Sequence, residues 1–289
     1  MKKVLITDLD NTLFDWFNIW YHSFSAMLNE VSRVSGFSVE ELKPQIKEIH
    51  QKHGTAEYAF VLEEIPLLKA KYGDREAIRE VFDSAIHLYR SERKKNLILY
   101  PTVNETLDTL KKKGVLIVGY TESKEFYSNY RISKLGLDGV IDVLFSPEDH
   151  DLPSGVEPQT KYNLTITKNM HTPSGEIKPN PKILKEIISS INATPDECVY
   201  IGDSEMKDIA MAKDAGVDAV FARYGTAHFT NNQDGYNLLR DVTHWTEKDV
   251  AREIEIKNSK KDIHADLAVD SFGDILSLFE FEGFKKHVK

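Results

Sequence analysis

Two aspartates, Asp8 and Asp10, close the apolar run Val4-Leu5-Ile6-Thr7 in the stretch DLDNT. A short β-branched run reads as a buried strand, so both acids stand where it runs out, and like charges so placed need a cation. Similar endings recur downstream. The run ending at Tyr120 is followed by Thr121 in GYTES, and the run ending at Gly202 by Asp203 and Asp208 in GDSEMKD. Lys178, in EIKPNP, stands just ahead of the helical pattern that leads into that last run. In a parallel sheet the strands' carboxyl ends share one edge, and ligands bind there near the reversal of strand order. Several carboxylates gathered on such an edge cannot all stay ionised without a counter-charge. Oxygen ligands with room for water suit Mg2+.

The elements that would position these residues alternate. Strand candidates follow the first at Val115 to Tyr120, Val140 to Phe145, Cys198 to Gly202, Asp218 to Ala222 and Asp266 to Val269. Helical patterns separate most of them. Pro181 to Ile191 opens on proline and repeats Leu184, Ile187, Ile188 and Ile191, while Met206 to Ala215 closes on Gly216. This predicts an α/β fold, a parallel sheet with helices on both faces. From Asp15 to Lys95 there are only helical patterns, such as Phe17, Trp20, Tyr21, Phe24, Leu28 and Val31. That block reads as a helical cap inserted after the first strand. The expected division is a core of 1–14 and 97–289 and a cap of 15–96, with long polar insertions within the core at 147–175 and 225–264. His50 and His53 lie three apart and are expected as solvated residues of the cap. Glu148 to Asp151, EDHD, follows the third strand and is expected on the same edge as the acids.

The 289 residues are 41% hydrophobic and 29% charged, as in an ordinary globular protein. A formal charge of −9 argues against broad nucleic-acid or anionic-membrane binding, though not against a small phosphorylated ligand. The single cysteine, Cys198, excludes an internal disulfide. No long apolar core of a signal peptide or membrane span stands at the N-terminus, so the cytoplasm is the expected compartment.

With DLDNT, GYTES, KPNP and GDSEMKD in this order, the chain resembles the haloacid dehalogenase superfamily of phosphatases and related hydrolases. The resemblance covers Lys2 to Asn18 and most of Leu97 to Phe221, and ADLAVDSFGDIL is similar to the last core strand and helix of many members. It implies a Rossmann-like core with a type 1 helical cap. It also implies a Mg2+-dependent phosphatase that hydrolyses a small phosphate monoester, a nucleotide, sugar phosphate or phospho-acid, through an aspartyl-phosphate. Asp8 would be the nucleophile and Asp10 the general acid and base. Asn11, Thr121, Glu122 and Lys178 would contact the phosphate, with Lys182 the alternative lysine, and Asp8, Asp10, Asp203 and Asp208 would hold the metal. Phosphomutase, 2-haloacid dehalogenase and an idle binding protein are the alternatives on this fold. Asp10 and Asp203 count against the dehalogenase, which needs neither the second acid nor Mg2+.

Overall fold

Among the described residues, seven parallel strands lie side by side in the order β4-β3-β2-β1-β5-β6-β7. They are β1 (Val4–Thr7), β2 (Leu116–Tyr120), β3 (Val143–Pro147), β4 (Lys168–Thr172), β5 (Cys198–Gly202), β6 (Asp218–Ala222) and β7 (Leu267–Val269). This computed structural model describes residues 1–158, 160–226, 232–259 and 264–285. Strands β1, β2 and β5 are buried throughout, which is why VLIT, LIVGY and CVYIG read as continuous apolar runs rather than alternating ones. β1 pairs in register with both neighbours, Thr7 lying opposite Gly119 and Ile201. The strand ends followed by Asp8, Thr121 and Asp203 therefore lie on one edge. Order reverses at β1, since β2 lies on one side and β5 on the other.

The helix Pro181–Ser190 shows how local sequence builds this core. The side chain of Asn180 accepts from the amide of Ile183 at 3.2 Å, and Pro181 occupies the first turn, where its missing N–H costs nothing. Its face of Ile183, Leu184, Ile187 and Ile188 packs with Val4, Ile6, Val118 and Tyr200.

β4 was not among the expected strands. Its sequence, KNMHT, has no apolar alternation, because it lies at the sheet edge with most of its side chains in contact with water. Part of the 147–175 segment is thus sheet. Asp138 fixes the approach to it: its carboxylate accepts from the amides of Thr165, Ile166 and Thr167 at 2.9, 3.1 and 2.8 Å, and from Thr165 Oγ1 at 2.8 Å. Burial tends to raise the acid, but these donors hold Asp138 well below the usual carboxylate range.

The chain divides into two units. The described residues of Met1–Asp15, Ile98–Ala227 and Lys257–Lys289 form the sheet unit, and those of Trp16–Leu97 and His228–Ile256 the helical unit. The segment 225–264, expected as an insertion within the core, is therefore split, and 227–231 and 260–263 lie outside the described residues. The helix Gln233–Val242 packs Leu238, Leu239 and Val242 into the same apolar cluster as Trp20, Phe24, Leu42, Ile46 and Ile49. Helix Val39–His53 carries the last three of these and begins with a capping box between Ser38 and Glu41. His50, expected in solvent, is fully buried there, and its Nδ1 donates to the carbonyl of Val242 at 2.6 Å. That bond requires the proton on Nδ1, and no partner among the described residues meets Nε2. Burial lowers the imidazole to about 4, although the bond to Val242 opposes the shift. No described helix is long and apolar enough to cross a membrane.

Candidate active site

After β1 the chain turns over at once. The amides of Thr12 and Leu13 return to the Leu9 carbonyl, and Asn11 takes a left-handed conformation at φ 59°. Gly225 lies against this turn: a β-carbon there would overlap the Asn11 carbonyl and crowd Asp203, so only glycine fits. Beside it, Tyr224 donates its hydroxyl to the Thr12 carbonyl at 2.7 Å.

After β5, residues Glu205–Ile209 wind as one wide π-type turn, with the Ile209 amide bonded back to Ser204. The turn brings the Asp208 carboxylate against Gly202, where any side chain would collide with it. Asp208 is buried, and both of its carboxylate oxygens accept hydrogen bonds. Its Oδ1 accepts from Tyr200 at 2.8 Å and from Lys178 at 2.9 Å, and its Oδ2 from the amide of Ser204 at 3.1 Å.

Lys178 is buried between two acids, its Nζ 2.8 Å from Asp8 Oδ1 and 2.9 Å from Asp208 Oδ1. Burial works against its charge, yet Asp208 and Asp8 raise the amine well above its ordinary value. Lys182, the alternative lysine, is exposed on the helix that follows, 3.8 Å from Glu186. Asp8, Asp203 and Asp208 each offer one carboxylate oxygen within 4.8 Å of the others. Burial pushes Asp8 up to about 7 against the pull of Lys178, and Asp208 and Asp10 add to the rise. Asp203 is raised well above its usual range by burial and then by Asp8 and Asp208. Three acids facing one ammonium are short of positive charge, and an all-oxygen donor set fits a hard divalent ion such as Mg2+.

The remaining expected residues are placed less uniformly. Thr121 is buried and donates to Asp10 Oδ2 at 3.2 Å. Glu122, expected near phosphate, turns its carboxylate to the Lys178 amide at 2.9 Å and to Lys207 Nζ at 3.0 Å. Burial tends to raise it, but Lys207 and Lys178 hold Glu122 below its ordinary value. Two residues were missed. Ser123 donates to Asp10 Oδ2 at 2.6 Å, and Arg131 lies 3.1 Å from Asp10 Oδ1. Ser123 closes the GYTES stretch, two places after Thr121. Arg131 left only the signal of a cation among the aromatics of its helix, Phe126, Tyr127 and Tyr130, which does not name a partner. Within EDHD, Asp149 accepts from the Phe126 amide at 2.9 Å and Glu148 pairs with His171 at 3.2 Å.

The family model for haloacid dehalogenase-like hydrolases matches residues 2–216. A phosphoglycolate phosphatase of Colwellia psychrerythraea is 25% identical over 228 residues, covering 78% of this chain and 85% of the relative. A glyceraldehyde 3-phosphate phosphatase of Methanopyrus kandleri is 26% identical over 231 residues, with coverage of 78% and 85%. The crystal structure of a HAD phosphatase from Thermococcus onnurineus superposes with a TM-score of 0.54 at 18% identity, covering 98% of this chain and all of that one. With its acids on the carboxyl edge of a seven-stranded parallel sheet, the chain belongs to the haloacid dehalogenase-like hydrolases.

Proposed function

We propose that the protein is a Mg2+-dependent phosphatase that hydrolyses a small phosphate monoester through a phosphorylated Asp8. The observation that carries this reading is the meeting of Asp8, Asp203, Asp208 and Lys178 at the strand ends. Asp8, Asp203 and the backbone carbonyl of Asp10 would hold the ion. When bound, it would supply the positive charge that lets a carboxylate and a phosphate dianion approach.

An oxygen of Asp8 attacks phosphorus as the ester bond breaks, and Asp10 gives its proton to the departing alkoxide. Asp10 then takes a proton from water, whose oxygen attacks the phosphorus on Asp8. Inorganic phosphate leaves and the carboxylate is restored. Lys178 and Thr121 bear on the phosphoryl oxygens, where negative charge builds during transfer. Asp208, already taken up by three donors, orients Lys178. Glu122 holds the backbone amide of Lys178, a task suited to a carboxylate, which has no proton to offer phosphate. Two relatives are named for phosphoglycolate and glyceraldehyde 3-phosphate, so short phosphorylated carbon chains are the first substrates to test.

The test is a phosphate-release screen over short phospho-acids, sugar phosphates and nucleotides, with Mg2+ and with EDTA. Release should require Mg2+, and Asp8→Asn should fall below roughly a thousandth of wild type with its fold intact, an amide being a poor nucleophile of similar shape. Release that survives EDTA, or that survives in Asp8→Asn, would refute the proposal.

A further inference from the structure

Behind Asp10 lies a group of residues with no part in the scheme above. Helix Glu125–Lys134 buries Tyr127, Ser128, Asn129, Tyr130, Arg131 and Ile132, and the Arg131 side chain is 3% exposed. A guanidinium is always charged, so one buried this deeply needs an anion and a planar surface. It has both. The Phe14 and Tyr127 rings each lie 5.7 Å from its central carbon, and Asp10 Oδ1 lies 3.1 Å from Nη1.

The same Nη1 donates to Ser123 Oγ at 2.9 Å, and Ser123 Oγ donates to Asp10 Oδ2 at 2.6 Å. A hydroxyl has one proton. Because Arg131 donates to Ser123, the serine proton is turned towards Asp10. Thr121 Oγ1 also donates to Oδ2, at 3.2 Å, while accepting from the Ser123 amide at 3.0 Å. If Thr121 turns its single proton to a phosphoryl oxygen, Asp10 loses that donor and keeps the Ser123 hydroxyl and the ion pair with Arg131.

We infer that Arg131 and Ser123 form a positioning pair that fixes the Asp10 carboxyl in one orientation throughout turnover, so that its proton reaches the leaving oxygen. The inference rests on the reading of Asp10 as general acid and base. It assigns no contact with substrate to either residue. An acid that is present but misaligned loses its advantage only where the leaving group needs a proton.

The test uses the full chain with Mg2+ and compares kcat/KM for two esters, 4-nitrophenyl phosphate, whose phenolate departs unaided, and an alkyl phosphate that the wild type turns over. This ratio covers steps up to the first irreversible one, which isolates loss of the leaving group from the later attack of water. Arg131→Met should lower the alkyl value by roughly 10²-fold, within the range general acid catalysis contributes, and the nitrophenyl value by less than about threefold. Arg131→Lys, which keeps the charge but not the fork, should recover part of the loss. Should Arg131→Met fail to fold, Ser123→Ala removes a single oxygen and should show the same selective loss. Equal losses on both esters, or no loss on either, would overturn the inference while leaving the phosphatase reading intact. A wild type that releases phosphate from neither ester would bring down both.

Discussion

Acid should weaken the helical unit through His50. This imidazole is fully buried and lowered to about 4 from an ordinary 6.5. Below pH 6.5 the unfolded chain takes up a proton at His50 that the folded chain refuses, so stability falls as pH drops from 6.5 to about 4. Above that window the contribution is intact, and below it no further loss accrues. At 1.36 kcal/mol per unit, the whole window is worth about 3 kcal/mol, and the step from pH 7 to pH 5 about 2 kcal/mol. The three tryptophans, Trp16, Trp20 and Trp245, all lie in the helical unit, so their fluorescence follows its unfolding in urea. His50→Asn keeps a donor near the Nδ1 position, facing the Val242 carbonyl, but cannot titrate. It should cost stability at pH 7 and then lose about 2 kcal/mol less than wild type on going to pH 5. Equal losses in the two proteins would refute the assignment of the pH effect to His50.

Other outcomes follow from single contacts. Asp138→Ala removes the acceptor of four hydrogen bonds ahead of β4, so it should cost about 1–2 kcal/mol and speed hydrogen exchange at Thr165, Ile166 and Thr167. Unchanged protection at those amides would contradict it. Gly225→Ala should displace the turn at Asn11 and cut phosphate release at least about tenfold, with little change in far-UV circular dichroism, because the added methyl has backbone rather than a flexible side chain in its way. Full activity in that variant would show that the turn yields freely.

Which parts of this protein were legible beforehand depends on how local the governing interaction is. β1, β2 and β5 are buried on both faces, so their apolar runs announce them, and the acids that end β1 and follow β5 stand out by contrast. β4 has no such signature. Its pairing with β3 relies on the backbone, and its polar side chains are compatible with an edge that faces water. Leu238, Leu239 and Val242 give the helix Gln233–Val242 an apolar stripe, visible in the chain, but a stripe does not name its partner. That partner proved to be the helical unit, roughly 190 residues upstream at His50.

The same division holds at the site. From residue types and order alone came the parallel α/β class, the strand-end acids, Lys178 and the need for a cation, since burial and charge are properties each short segment carries with it. Only the tertiary structure decided that Glu122 serves Lys178, that Lys182 stands apart, and that Arg131 lies behind Asp10. Those outcomes depend on how a helix is rotated against a sheet and on contacts across long stretches of chain. Such geometry is set by the packing of the whole unit, and no stretch of sequence contains it.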